Sequence, residues 1–210
     1  MPPSTLDRRP STKLGIFGGS FDPIHNGHLA LARACQEQAA LDEVWFTPTA
    51  IQPLKHHGPQ AANADRVEML RLAIDEAPRS SWRICTIEVD RGGKSFTVDT
   101  LRQLHEELPE TALYFMIGSD AIRDVARWKE PREIFRLATP LVVHRAGEPE
   151  PDIATLSSLC TAETQPQIVR MQPVDVSSTE IRRRVQHGES IDGLVSAPVA
   201  NYIAERGFYL

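Results

Sequence analysis

Short apolar runs alternate with amphipathic stretches along this chain of 210 residues. Apolar runs that predict β-strands occupy 13–17, 43–47, 83–89, 112–118, 140–145 and 167–171. Between them, apolar residues recur at helical spacing, which predicts helices at about 28–40, from 65 onward, and over 98–108, 132–137, 177–188 and 197–205. Residues 48–64 are predicted to form a long loop, and 146–166 a connection with one helical turn. This alternation predicts an α/β fold, Rossmann-like, with a doubly wound, mostly parallel sheet and helices on both faces.

Three helix starts carry capping signals. Asp65 with Glu68 predicts a capping box at the second helix, and Ser95 is the predicted cap of the third. Ser177 with Glu180 predicts a second capping box, at the helix that closes near 188.

The chain length suits one large domain. Residues 1–12, rich in Pro, Ser and Arg, are predicted to be a flexible N-terminal tail, with a short transit peptide as the alternative. Residues 13–210 are predicted to form a single domain whose C-terminal helical part covers 177–210.

Composition and charge exclude several functional classes. The chain is 41% hydrophobic and 24% charged with a formal net charge of −5, which is typical of an ordinary globular protein. We expect no nucleic-acid partner, because there is no strong basic field, and no membrane, because no apolar run reaches about 20 residues. Cys35, Cys85 and Cys160 are odd in number and far apart, which favours reduced thiols and a cytoplasmic location.

Candidate ligand-binding residues follow the predicted strands. In parallel sheets, ligands bind beyond the carboxyl ends of the strands, near the switch in strand order. Gly18-Gly19, Gly118 and Arg145 lie at such ends, and so does the loop that carries Lys55. Four separate segments are therefore expected to converge on one crevice.

Two histidines lie where the first strand gives way to a helix. His25 and His28 are one helical turn apart, so both side chains can face one point. They can be metal ligands with Asp22, a clamp on a phosphate, or ordinary turn residues. The preceding glycines and the helix N-terminus favour an anion, so the phosphate clamp is the preferred interpretation.

Two separated segments resemble known signatures. "GGSFDPIHNGH" (18–28) is similar to the HxGH signature of the nucleotidylyltransferase superfamily, and "SSTEIR" (177–182) resembles its second signature. With "SFTVDTL" (95–101) and "GSDAIRDVARW" (118–128), the chain after the tail resembles bacterial nicotinate-nucleotide adenylyltransferases. The resemblance implies transfer of AMP from ATP to nicotinate mononucleotide in NAD biosynthesis, with release of pyrophosphate. It also implies in-line displacement without a covalent intermediate, and Mg²⁺ entering with ATP.

The resemblance also implies roles for individual residues. His25 and His28 would act catalytically as donors to the α-phosphate of ATP. The residues implied in ATP and phosphate binding are Gly18, Gly19, Ser20, Lys55, Gly118, Asp120, Ser177, Ser178 and Arg182. Those implied in binding the mononucleotide are Thr97, Trp128, as a platform for the pyridine ring, and Lys129. The simpler alternatives are a helix cap at Asp120, a structural tryptophan and a solvated loop lysine at position 55.

The chain departs from the family pattern around the second substrate. Phe96 and Lys129 stand where the family usually has tyrosines, and "QPLK" (52–55) replaces a Pro-Pro-His-Lys run. We hypothesise that Lys129 lies near the substrate carboxylate and strengthens the preference for the acid over the amide. The alternative functions are a sister transferase that acts on phosphopantetheine or nicotinamide mononucleotide, and a nucleotide-binding regulator without catalysis.

Overall fold

A central sheet of six strands organises the protein. The computed structural model describes residues 12–53, 58–76, 81–147 and 149–210. The strands are β1 (Lys13–Gly19), β2 (Glu43–Pro48), β3 (Trp82–Ile84), β4 (Ala112–Gly118), β5 (Ala138–Arg145) and β6 (Gln167–Met171). The predicted tail lies outside the described residues apart from residue 12.

Helices connect the strands. They are α1 (Asn26–Ala39), α2 (Asn63–Asp75), α3 (Ile87–Arg91), α4 (Thr97–Glu107), α5 (Pro131–Leu137), α6 (Ala154–Ser157), α7 (Ser178–Gln186) and α8 (Ala197–Arg206). A 3-10 helix over Ser119–Arg127 follows β4 directly. Within the described ranges, no helix is long and apolar enough to cross a bilayer.

The strand order is β3-β2-β1-β4-β5-β6, and every neighbouring pair is parallel. The chain runs outward from β1 in one direction and then returns to build the other half from β4. The order therefore switches between β1 and β4, where the strand ends leave a crevice. The predicted doubly wound fold is confirmed.

Two apolar clusters cover the two faces of the sheet, because side chains alternate along each strand. Phe17, Phe46 and Val143 pack in one cluster with residues of α1, α2, α7 and α8. Ile16 and Phe115 pack in the other with residues of α4, α5 and the 3-10 helix. Helices therefore lie on both faces, as predicted. The one-domain organisation of 13–210 stays a prediction, which the packing of α7 and α8 on the same cluster as α1 supports.

The predicted strand over 83–89 is wrong in its second half. β3 stops at Ile84, and Ile87–Arg91 forms the short helix α3. A short apolar run does not distinguish a strand from a helix by periodicity alone, and tertiary contacts decide. Here the helical turn buries Glu88, whose Oε1 accepts a hydrogen bond from the Thr100 hydroxyl at 2.8 Å.

The predicted cap at the start of α2 is also wrong. The helix begins at Asn63, before Asp65, and Ala62 caps it without a side-chain bond. Asp65 instead accepts a hydrogen bond from the Tyr202 hydroxyl at 2.8 Å, which joins α2 to α8. Glu68 pairs with Arg71 one turn later.

The other two caps differ from each other. Phe96, not Ser95, precedes α4, because the Ser95 hydroxyl accepts the Ala50 N–H at 2.8 Å and so fixes the loop after β2. At α7, Ser177 caps the helix as predicted and accepts the Glu180 N–H at 3.1 Å. No reciprocal bond from the Glu180 side chain completes a capping box there.

Candidate active site

A cavity of about 390 Å³ opens at the carboxyl ends of β1 and β4, where the strand order switches. Its lining includes the predicted site residues Gly18, Gly19, Thr97, Gly118, Trp128 and Lys129. These residues come from three segments: the end of β1, the start of α4 and residues 118–129. The fold therefore brings the predicted ATP-binding strand ends and the predicted mononucleotide residues to one place.

Two glycines of the first signature lie so close to neighbouring side chains that an added Cβ would crowd them. A Cβ at Gly19 would lie 2.9 Å from the Phe21 ring. A Cβ at Gly27 would lie 3.0 Å from Val176 and 3.1 Å from the His25 ring nitrogen Nδ1. The middle glycine of "HNGH" thus allows the segment before α7 to pack against the histidine turn.

His25 and His28 cap the start of α1 reciprocally. His25 Nδ1 accepts the His28 N–H, and His28 Nδ1 accepts the His25 N–H, each at 3.3 Å. The two rings stack with centroids 3.6 Å apart. The edges of Phe17 and Phe21 lie against the His28 ring and restrict its orientation.

The capping pattern determines the tautomer of both rings. A ring nitrogen that accepts a hydrogen bond carries no proton, so the proton of each neutral imidazole resides on Nε2. Burial, and secondarily the positive charge of Arg145, together lower the pKa of His25 to about 4. His25 is therefore a neutral N–H donor near pH 7.

The pKa of His25 predicts a pH dependence of stability. Well above pH 6.5 the His25 ring is neutral in both the folded and the unfolded protein. As the pH falls, the unfolded chain binds a proton near pH 6.5, whereas the folded chain binds it only near pH 4, so folding becomes less favourable. Relative to His25→Asn, which keeps a cap acceptor, the wild-type free energy of unfolding should fall by on the order of 3 kcal/mol between pH 7 and 4. Urea unfolding of both proteins at several pH values measures it. A difference that stays constant over this range contradicts the prediction.

The metal interpretation of this turn gains no support from the geometry. The Asp22 carboxylate accepts hydrogen bonds from the Gln60 N–H at 2.7 Å, the Ala61 N–H at 3.1 Å and the Tyr209 hydroxyl at 2.8 Å. Across the described part of the chain, no three His, Cys, Asp or Glu side chains group to hold a metal ion.

The helix α7 brings the second signature to the histidine turn. Ser178 donates its hydroxyl hydrogen to the Pro23 carbonyl at 2.9 Å, and Arg182 Nη1 donates to the Asp22 carbonyl at 2.7 Å. The N-termini of α1 and α7 are thus joined through residues 22–23. Ser178 acts in this arrangement as a tie between the segments, with its hydroxyl hydrogen already donated to protein.

The predicted mononucleotide residues Thr97, Trp128 and Lys129 all line the cavity. Trp128 is half-buried, and its ring lies 5.9 Å from that of Phe115 in an edge-to-face arrangement. Lys129 Nζ lies 2.8 Å from Asp99 and 5.0 Å from the centre of the Phe96 ring. Lys129 therefore lines the cavity, while its ammonium group forms an ion pair with the Asp99 carboxylate.

The remaining predicted residues are placed unevenly. The Ser20 hydroxyl donates to Gln52 Oε1 at 3.3 Å, across the mouth of the loop after β2. Asp120 lies in the 3-10 helix, and its side chain is outside what the structure describes. Lys55, with His56 and His57, also lies outside the described residues.

Sequence reasoning missed Arg66, which has no exposed surface. Its guanidinium donates to the carbonyls of Ser20 and Thr49 and to Asn63 Oδ1. It therefore joins the segments that follow β1 and β2. Arginines on helices are usually exposed to solvent, so the sequence carried no signal that Arg66 is buried.

Glu88 was missed as well, because it lay in a predicted strand. Its carboxyl is 5% exposed and lines the cavity, and burial raises its pKa. Arg91 donates to the Thr100 hydroxyl, which in turn donates to Glu88. This chain of hydrogen bonds supports the turn that carries Phe96 and Thr97.

Comparisons with known proteins agree with this architecture. A cytidylyltransferase-like family model matches residues 16–184. A probable nicotinate-nucleotide adenylyltransferase of Dehalococcoides mccartyi is 41% identical over 201 residues, covering 95% of this chain and 98% of the relative. A protein of the same description from Thermus thermophilus is 41% identical over 198 residues, covering 94% and 99%.

A solved structure shares the fold at lower identity. It is the nicotinic acid mononucleotide adenylyltransferase of Plasmodium falciparum, complexed with NaAD, with a TM-score of 0.78. It is 20% identical to this chain and covers 94% of it and 97% of its own length.

Proposed function

The chain belongs to the nicotinate-nucleotide adenylyltransferase family, and from that premise we propose how its residues perform the transfer. The protein transfers AMP from ATP to nicotinate mononucleotide, giving nicotinate adenine dinucleotide and pyrophosphate. It acts in NAD biosynthesis, and a cytoplasmic location is part of the proposal.

The contact between the two signature segments is the observation that supports the proposed roles of their residues. The histidine turn and α7 are far apart in sequence, yet Arg182 bonds to the Asp22 carbonyl and Ser178 to that of Pro23. The N-terminus of α7 and the Arg182 guanidinium thus contact the turn that leads into α1, where His25 and His28 lie. Such an arrangement suits a polyphosphate, because N-terminal N–H groups and arginine both favour negative charge.

The reaction needs positioning more than acid–base chemistry. The attacking group is a phosphate oxygen that is already anionic, so no general base is required. The barrier comes from bringing two anions into line and from charge that develops at the α-phosphate. The Nε2–H groups of His25 and His28 are proposed to donate hydrogen bonds to that phosphate, and Arg182 to hold the phosphates that leave.

We propose that Mg²⁺ enters bound to ATP, as part of the substrate. The described residues offer no carboxylate cluster for a resident ion, which fits a cation held by phosphate oxygens. When bound, it would neutralise phosphate charge.

The second substrate is proposed to occupy the cavity beside Trp128. Its pyridinium ring is cationic and apolar-faced, so a tryptophan face attracts it by stacking and by charge. The backbone at Thr97, the first residue of α4, is proposed to donate N–H groups to the carboxylate. An amide would present its own NH₂ to those donors and bind less well.

One assay tests the proposed function. Purified protein is incubated with ATP, Mg²⁺ and nicotinate mononucleotide, nicotinamide mononucleotide or phosphopantetheine, and the adenylated product and pyrophosphate are measured. We expect the nicotinate compound to react with the highest kcat/KM. Preference for another acceptor selects a sister transferase, and no product with any acceptor selects the non-catalytic regulator.

Lys129 is proposed to strengthen the preference for the acid. Lys129→Ala removes the cation that lines the cavity and leaves Asp99 with only its longer ion pair to Arg102, at 4.0 Å. We expect the ratio of kcat/KM for nicotinate mononucleotide over nicotinamide mononucleotide to fall about 3- to 10-fold, as for a partly exposed charge. Arg127→Ala is the matched control, since Arg127 is also a cation that lines the cavity and pairs with an aspartate, Asp124. If Lys129→Ala leaves the ratio of kcat/KM for the acid over the amide unchanged, the proposed role of Lys129 is wrong.

A further inference from the structure

Asp22 is a junction between separate parts of the chain. Its carboxylate is 4% exposed and accepts three hydrogen bonds, two from the backbone at Gln60 and Ala61 and one from the Tyr209 hydroxyl. Its carbonyl accepts the bond from Arg182. The loop after β2, the segment after α8 and the second signature thus meet on the residue that opens the histidine turn.

Tyr209 holds an unusual backbone conformation to reach this junction. Its φ of 67° lies in the left-handed region, which costs a non-glycine residue energy. Burial and the charge of Asp22 both raise the pKa of the phenol, so the hydroxyl keeps its proton and remains a donor. The conformation is therefore maintained for a bond to a buried carboxylate.

The same carboxylate lies within reach of Arg182. Asp22 Oδ2 is 3.9 Å from Arg182 Nη1, longer than a hydrogen bond, while that nitrogen donates to the Asp22 carbonyl at 2.7 Å. The bonds from Tyr209, Gln60 and Ala61 occupy the carboxylate oxygens and hold them in this orientation. Without the Tyr209 hydroxyl, Oδ1 loses a donor, and the carboxylate can rotate to form a closer ion pair with the guanidinium.

We propose that Tyr209 is a positioning residue for the transfer. Its bond to Asp22 keeps the Arg182 guanidinium available to the nucleotide phosphates and holds the histidine turn in its position. The inference rests on the proposed role of Arg182. It assigns to the segment after α8 a part in ATP use and no part in binding the second substrate, whose proposed contacts come from Thr97 and Trp128.

The chain offers a matched pair of variants. Tyr209→Phe removes a hydroxyl that donates to Asp22 at 2.8 Å, and Tyr202→Phe removes one that donates to Asp65 at 2.8 Å, away from the cavity. Both substitutions delete one bond between a tyrosine and a carboxylate, so both test the general cost of losing such a bond. Steady-state constants for both substrates and the Tm are measured for each variant and for the wild type.

We expect Tyr209→Phe to lower kcat/KM for ATP by about 10-fold, as for one lost bond to a charged group, with KM for the mononucleotide within about 2-fold. Tyr202→Phe should leave kcat/KM for ATP and KM for the mononucleotide within about 2-fold of wild type, even if its Tm falls as much as that of Tyr209→Phe. The inference is overturned if Tyr209→Phe matches the wild type, if Tyr202→Phe has the same effect, or if KM for both substrates rises together. Failure of the proposed function is seen separately, as a wild-type protein that forms no dinucleotide.

Discussion

His28→Ala should lower kcat by on the order of 10²-fold or more while the protein stays folded. The side chain is proposed to donate through Nε2 to the α-phosphate, where charge develops in the transition state. Its Nδ1 accepts the His25 N–H, and its ring lies against Phe17 and Phe21, so the substitution also removes a cap that holds the other histidine. Since the donor acts mainly in the transition state, KM for either substrate should change far less than kcat.

The control for this variant is His105→Ala, which removes an exposed histidine from α4. Steady-state rates and thermal unfolding are measured for both. A wild-type kcat in His28→Ala would show that other residues stabilise the transition state. A large loss of kcat in His105→Ala would show a general effect of removing a histidine.

Arg182→Ala should lower kcat/KM for ATP by on the order of 10²-fold, because it removes a charge-assisted donor proposed to hold the departing phosphates. It also removes the bond to the Asp22 carbonyl, which joins α7 to the histidine turn. Arg182→Lys should recover only part of the loss, since a lysine supplies the charge without the planar fork.

Arg183→Ala is the matched control on the same helix. Arg183 is partly exposed and pairs with Glu180 and Glu189, and exposed pairs contribute little. We expect its kcat/KM for ATP to stay within about 2-fold of wild type. Equal losses in both arginine variants would show that α7 itself, and not the guanidinium at position 182, matters for ATP.

Local signals account for much of the fold. Each predicted helix has a counterpart, and five of the six strands are where the apolar runs placed them, because alternation and helical periodicity report directly which face is buried. The misplaced part, Ile87–Arg91, and the misassigned caps at α2 and α4 fail for one reason. At each of them the polar side chain bonds to a distant segment, and local pattern does not encode that partner.

The sequence alone determined the parallel fold and the two signatures, since glycines, histidines and an arginine at characteristic positions are visible without coordinates. Only the tertiary structure decided how they act together. It showed that His25 and His28 cap each other through Nδ1, and that Arg182 is tied to Asp22. It also brought Arg66 and Tyr209 to the site from outside the signatures. The physical reason is that hydrogen-bond partners are chosen by proximity in space, and the switch in strand order brings these distant segments together.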